Sequence, residues 1–239
     1  MTQQTGKVYL IPSLLAPNTQ AQVVPPYNLE IIQELDWFFV ENIRSARRFI
    51  SALKLGIDIS SLHFSQLDKR SRAEEIAPQM ERIIAGKSAG VLSEAGCPGI
   101  ADPGSLLVTL AHQRGIEVIP LVGPSSILLA LMASGMSGQS FTFHGYLAID
   151  KGQRVQAIKR LEKQARNAKQ TQIFMETPYR NQPLLRAILK HAQPDTWLCI
   201  AANITATGGF IQTKRIAEWQ KVNLDLHKVP CMFLFGEIA

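Results

Sequence analysis

The sequence predicts an α/β protein of two domains, each a mixed or mainly parallel sheet flanked by helices. Three observations predict it. Short apolar runs alternate with amphipathic segments from residue 8 to residue 134, the rhythm of a mainly parallel sheet with helices on both faces. After Gly135 that rhythm changes. Where the halves meet, two strands end in loops rich in Gly and Pro, the position at which open α/β sheets bind ligands. The domain boundary is expected at Pro120 to Pro124, giving domains of residues 1–120 and 121–239 with a ligand pocket between them.

Taken in order, Val8 to Pro12 is a β-branched and aromatic run and reads as a strand. Ser13 to Pro26 holds three Pro and an Asn and reads as a loop. Tyr27 to Leu35 has one or two helical turns. Asp36 to Glu41 is a buried strand. Ile43 to Leu55 is a helix stopped by Gly56, with Ile43, Ala46, Phe49, Ile50 and Leu53 on one face and Arg44, Arg47 and Arg48 mostly on the other. Ser61 to Phe64 reads as a short strand, Ser71 to Ala85 as a helix and Ser88 to Ser93 as a strand. Gly104 to Arg114 is helical, Glu117 to Val122 extended, and Ser125 to Ser134 helical with Gly135 as its C-cap. In the second half, strands are expected at Phe141 to Leu147, Thr171 to Glu176, Thr196 to Ile204 and Cys231 to Gly236. Helices are expected at Lys151 to Lys169 and Tyr179 to His191, and Phe210 to Trp219 mixes both signals.

Composition narrows the function classes. With 239 residues, 46% of them apolar, a core can form without disulfides or metal. Cys97, Cys199 and Cys231 are scattered in or beside apolar runs, with no CxxC pair and no His–Cys cluster, so no structural metal is expected and a reducing, cytoplasmic setting is. No basic segment followed by an apolar one opens the chain, and no run approaches the roughly 20 apolar residues of a membrane span. A formal charge of +6 permits an anionic partner such as RNA without demanding one.

The stretch from Val91 to Ser126 carries the functional signal. Between Gly96 and Gly104 it holds three Gly, two Pro and an Asp, more than a plain αβ connection needs. The common nucleotide fingerprints are missing: no G-x-G-x-x-G follows the first strand, and no Walker A lysine motif occurs. Other residues have structural readings beside functional ones. Glu41 with Arg44 suits an ion pair at a strand–helix junction, and Glu94 suits capping of nearby N–H groups. Glu176 with Arg180 has the spacing of a salt bridge that orders its own loop. His144 follows an apolar alternation and reads as packed rather than catalytic. Trp197 and Trp219 read as core. The basic helix Lys151 to Lys169 is a solvated face and the leading candidate for contact with a phosphate backbone.

Ser93-Glu94-Ala95-Gly96-Cys97-Pro98-Gly99-Ile100-Ala101-Asp102-Pro103-Gly104 resembles the "DAGTPxxSDPG" loop of the tetrapyrrole methylase superfamily. Pro120 to Ser126 is similar to its "PLPGPSA", Ser134-Gly135-Met136 with Phe141 to Leu147 to "SGL…FxFxGFL", and Phe174 to Arg180 to "FYEsPHR". Within the superfamily the resemblance is to the branch that methylates ribose 2′-oxygens of small-subunit ribosomal RNA. It implies a two-domain α/β fold, a homodimer, and S-adenosylmethionine bound in the interdomain cleft. By matching positions, the Ala101-Asp102-Pro103-Gly104-Ser105 loop would hold the methionine part of the cofactor through its backbone and Asp102, with Ser125, Ser126 and Ile127 facing it from the second loop, and Ser93, Ala95 and Gly96 would be further cofactor contacts. Met175, Ala202 and Pro230 would contact the adenosine, the last two placed by strand counting.

Three motifs of the ribosomal branch are altered. "TPIGNL" appears as Pro12 to Asn18 without its glycine, "EDTR" as Glu41-Asn42-Ile43-Arg44, and "RELTK" as Ala202-Asn203-Ile204-Thr205-Ala206. A base is needed only for a reluctant nucleophile such as a ribose hydroxyl, and Glu41, Arg44 and Glu94 are the candidates for catalysis. The alternatives are methylation of a small molecule such as a tetrapyrrole, and a degenerate protein that binds cofactor or partner without turnover.

Overall fold

Trp37-Phe38-Phe39-Val40 is buried at every position, as a strand covered on both faces must be. In the computed structural model, which describes residues 5–238, this segment is β2 (Trp37–Val40) of a five-stranded sheet. Its neighbours are β1 (Val8–Ile11), β3 (His63–Gln66), β4 (Ala89–Leu92) and β5 (Val118–Pro120), in the order β3-β2-β4-β1-β5, and every pair is parallel. The chain divides into two units, Met1–Ser125 and Ser126–Ala239.

Among the described residues, five helices accompany the first sheet: α1 (Gln20–Val23), α2 (Pro26–Glu34), α3 (Ile43–Ala52), α4 (Ala73–Ile84) and α5 (Gly104–Gln113). The period-2 alternation of β2 sorts its side chains between two cores. Trp37 and Phe39 join Ile76, Met80 and Leu107 of α4 and α5. Phe38 and Val40 join Ile31, Ile32 and Ile50 of α2 and α3. Burying each such side chain is worth about 1.5–3 kcal/mol. Proline at the first position of α2 suits its entry, where an N–H would go unpaired anyway. Asn42 caps α3, its side chain accepting from the N–H groups of Arg44 and Ser45 at 2.9 and 3.2 Å.

Two elements differ from the sequence reading. The third strand lies two residues later, because the Asp36 carbonyl takes the His63 N–H at 2.8 Å and sets the pairing from there. The segment expected as a plain loop carries α1. Past residue 120 the chain stays with the first unit. The Leu121 N–H donates to Leu10 at 2.9 Å, and the Val122 carbonyl accepts from the Asn28 side chain at 2.8 Å.

The second unit holds β6 (Phe141–Tyr146), β7 (Thr171–Met175), β8 (Trp197–Ala202), β9 (Phe210–Arg215) and β10 (Cys231–Phe235), ordered β6-β7-β10-β8-β9. Only β6 and β7 run parallel; the other pairs are antiparallel. Its helices are α6 (Ser126–Ser134), α7 (Lys151–Ala168), α8 (Asn181–His191) and α9 (Ile216–Trp219). Phe174, Phe233 and Phe235 pack one face against Ile158 and Leu161 of α7 and Leu184 and Ile188 of α8. The opposite face carries Ile173, Cys199, Met232 and Leu234 against Ala130 and Leu131 of α6. Trp197 is part-buried in this second cluster, and the Trp219 indole is buried and donates to the Leu198 carbonyl at 2.8 Å. Among the described residues no helix is long and apolar enough to cross a membrane, and no group of His, Cys, Asp and Glu is placed to hold a metal ion.

Candidate functional site

The loop from β4 to α5 is tied down from inside. The Asp102 carboxylate accepts through Oδ1 from the N–H groups of Gly99 and Gly104, both at 2.7 Å, and so closes the turn that starts α5. Gly104 has to be glycine: a Cβ there would stand 2.8 Å from that same oxygen. Gly96 and Gly99 have φ of 75° and 81°, and Ala101 adopts 60°, a left-handed conformation that alanine rarely visits. The Ser93 hydroxyl donates to the Gly96 carbonyl at 2.9 Å. The loop after β1 clamps it from outside: Ser13 and Gly96 exchange backbone hydrogen bonds, and the Ser13 hydroxyl donates to the Ser93 carbonyl at 3.0 Å.

These parallel strands end on one side of the sheet, and their loops enclose recesses there. A cavity of about 410 Å³ is lined by Lys69, Gly99, Ala101, Asp102 and Ser105. A narrow crevice beside it brings Glu41 at the end of β2 next to Ser93, Asp102 and Gly104. A second recess of about 280 Å³ lies between the β1 loop and α3, with Ser93 and Glu94 in its wall.

The two ionisable residues that line the crevice, Glu41 and Asp102, are both acidic. Burial, followed by the like charges of Glu94 and Asp102, raises the Glu41 carboxyl above its ordinary pKa. Burial raises Asp102 as well, against the lowering effect of the two backbone N–H groups. Asp102 Oδ2 is buried and has no hydrogen-bond partner, a costly state that a cationic donor would relieve. Glu94 accepts from the Ser45 hydroxyl at 3.3 Å. Arg44 is exposed on the first turn of α3, and no Glu41–Arg44 ion pair occurs among the described residues. So the structure gathers Glu41, Glu94, Ser93, Ala95, Gly96 and Asp102 on adjoining loops, with Ser105 in the first turn of α5, and leaves Arg44 outside them.

In the second unit three residues come to one end of the sheet. Met175 closes β7, Ala202 closes β8, and Pro230 precedes the antiparallel β10 between them. The register pairs Met175 with Met232 and Ala202 with Cys231, and the Asn203 N–H donates to the Pro230 carbonyl at 3.0 Å. Ser126 and Ile127 open α6, and Ile127 packs in the same apolar cluster as Met175. Ser125 ends the first unit.

Several side chains have structural jobs. Glu176 is buried and accepts from the Thr177 N–H at 2.7 Å and from Arg180 at 2.6 Å, which orders the turn after β7. His144 is part-buried and hydrogen-bonds Gln172 at 2.7 Å. Sequence reasoning passed over Asn181, which is fully buried and donates to the Val229 carbonyl at 2.5 Å, fixing the turn before Pro230. It also passed over the conformation of Thr205, a β-branched residue at φ 71° whose hydroxyl is buried without a partner. A polar residue inside an apolar helix face was the available signal for Asn181; no local signal marks Thr205.

Comparison with known proteins places the chain in a family. The model of the tetrapyrrole (corrin/porphyrin) methylases matches residues 27–218. The chain is 30% identical to the ribosomal RNA small subunit methyltransferase I of Vibrio cholerae over 80% of its own length and 63% of that protein. It is 34% identical to the protein of that name from Thermotoga maritima over 68% of each. The chain thus spans about six-tenths of the first of these relatives. Among solved structures it resembles the methyltransferase CobJ, with a TM-score of 0.61 at 18% identity over 98% of this chain and 95% of that one. It also resembles the uroporphyrin-III C-methyl transferase of Thermus thermophilus complexed with S-adenyl homocysteine, with a TM-score of 0.55 at 17% identity over 97% and 98%. The chain belongs to the tetrapyrrole (corrin/porphyrin) methylase family.

Proposed function

We propose that the protein is an S-adenosylmethionine-dependent methyltransferase that acts on ribosomal RNA, with a ribose 2′-oxygen as acceptor. The observation that carries this is the pinned Asp102 loop with its acidic surroundings. Asp102 keeps one oxygen for the loop and leaves the other buried and unpartnered. Glu41 and Glu94 add negative charge beside it. Such a place suits a ligand that carries an ammonium and a sulfonium. The names of the relatives support RNA as the substrate, and the net charge of +6 agrees with it.

When bound, the cofactor supplies a methyl group on a positively charged sulfur. Asp102, Ser93, Ala95, Gly96 and Ser105 are our cofactor contacts in the first unit, and Ser126, Ile127, Met175, Ala202 and Pro230 those in the second, with Ser125 at the junction. A rigid loop aligns nucleophile and methyl, which is most of the catalysis such a transfer needs. Of Glu41, Arg44 and Glu94, we assign the ribose hydroxyl proton to Glu41, because a carboxylate with a raised pKa is the better proton acceptor. The resemblance supports a homodimer. The free thiols, with Cys199 and Cys231 buried, support a cytoplasmic setting.

Titration calorimetry with S-adenosylmethionine and its demethylated product tests the cofactor site, using Asp102→Ala combined with Ser126→Tyr as the deficient control. Transfer of tritiated methyl to small ribosomal subunits then tests the substrate. Cofactor binding without labelling of any RNA would remove the RNA assignment. Labelling of a porphyrinogen would replace it with a tetrapyrrole.

A further inference from the structure

The 280 Å³ recess beside α3 has no part in the cofactor contacts proposed above apart from its shared edge at Ser93. Ala46, Phe49 and Leu92 give it apolar walls, and Asn18, Ser45 and Glu94 add hydrogen-bonding groups. Its volume falls just below the roughly 300–1,000 Å³ of pockets that enclose drug-sized ligands. It therefore suits one or two fused rings and not a tetrapyrrole. A flat ring with an apolar face and a polar edge is what an unstacked nucleobase presents.

The surroundings select among ligands of that size. Arg44, Arg47 and Arg48 are exposed along α3 and form no ion pair among the described residues. Arg48 reaches the recess itself, and the Arg47 guanidinium lies 5.4 Å above the Phe64 ring, on the α3 side of β3. Glu94 is acceptor-only when ionised and repels carboxylates, so it disfavours an acidic small molecule and favours a base with an exocyclic amine. The Ser45 hydroxyl holds its Oε2.

We propose that this recess receives one unpaired base of an RNA strand, stacked against Phe49 with its edge toward Glu94, while Arg44, Arg47 and Arg48 take the adjacent phosphates. The assignment rests on the RNA reading above. It makes α3, and not the basic helix α7, the surface on which the RNA lies.

Fluorescence anisotropy with a short fluorescein-labelled single-stranded RNA of mixed sequence tests it. Two variants are used. Ala52→Trp fills the recess from an exposed position, and Arg48→Glu reverses one charge without touching the core. Each should weaken RNA binding by about tenfold, because stacking and a phosphate contact are each worth that much. Binding of the demethylated cofactor should stay at the parent value in both. Ultraviolet cross-linking should fall on the peptide that spans residues 43–52. A duplex of the same sequence should compete poorly, since its bases are paired. Cross-links confined to α7, equal competition by the duplex, no RNA binding by the parent, or parent-like RNA binding by both variants would each overturn the proposal. The two readings fail separately. If cofactor binding is intact and RNA binding ignores both variants, the recess assignment falls and the methyltransferase stands. If the parent binds no cofactor and RNA binding still responds to both variants, the methyltransferase falls and the recess stands.

Discussion

Ser13 and Gly96 exchange two backbone hydrogen bonds, the Ser13 N–H reaching the Gly96 carbonyl at 2.9 Å and the Gly96 N–H reaching the Ser13 carbonyl at 3.3 Å. This one-bridge ladder fastens the loop after β1 to the loop after β4. The Ser13 hydroxyl adds a third bond, to Ser93 at 3.0 Å, and Ser13 is 5% exposed, so water cannot readily replace it.

We therefore expect Ser13→Ala to cost about 1 kcal/mol, the usual net value of one such bond. Chemical denaturation reads the total. Hydrogen exchange at Gly96 locates it, and that amide should exchange faster in the variant while amides of β2 keep parent rates.

The raised pKa of Glu41 and Asp102 has a definite sign for stability. The unfolded chain titrates both groups at the ordinary carboxylate values, and the native chain titrates them above those values. Between the two the native state holds more protons, so stability falls as pH rises through that window and is greater on its acid side. Glu94→Gln should bring the Glu41 titration down toward the ordinary value, because it removes a like charge that faces it; carbon-detected NMR of the Glu41 carboxyl measures this. An unchanged Glu41 titration would mean that burial and the Asp102 charge hold it up without Glu94.

Thr205 sits at φ 71°, where a β-branched residue is strained by about 1–3 kcal/mol. Glycine relieves the strain and gives back part of the gain through the freedom of the unfolded chain. Thr205→Gly should raise stability by about 1 kcal/mol in thermal or urea unfolding. A loss in its place would show that the Thr205 side chain holds the β8–β9 turn.

The three thiols should separate by reactivity. Burial pushes Cys199 up to about 11 and Cys231 to about 12, and both are buried within the second sheet. Cys97 is also raised, yet it is partly exposed on the loop after β4. A thiol reagent at neutral pH should label Cys97 slowly in the native protein and reach Cys199 and Cys231 only on unfolding, as mass spectrometry of the labelled peptides would reveal.

What was legible in the sequence was what short-range chemistry dictates. Trp37 to Val40 and Cys231 to Phe235 are apolar at every position, so each reads as a strand buried on both faces. The Gly and Pro residues between Gly96 and Gly104 mark a turn that ordinary side chains cannot make, and Gly104 proves to face Asp102 with no room for a Cβ. The same stretch carried the family resemblance, because a loop under that much steric constraint has few alternative sequences.

What needed the tertiary structure was everything set by partners distant in the chain. The insertion of β10 between β7 and β8, antiparallel to both, joins the last strand to two that precede it and leaves no local trace. The start of β3 was missed because Phe64 is its only large apolar residue and the Asp36 carbonyl chooses the register. The spacing of Glu41 and Arg44 suggested an ion pair, but Asn42 holds the first turn of α3 and the solvated Arg44 gains little by pairing. The sequence offers Asp102 as a candidate ligand residue. Only the folded loop shows that one of its oxygens is spent on Gly99 and Gly104 while the other is left buried and free. Local sequence sets which conformations a segment can adopt. Which of its polar groups remain unsatisfied, and so available for chemistry, is decided by what the rest of the chain places around them.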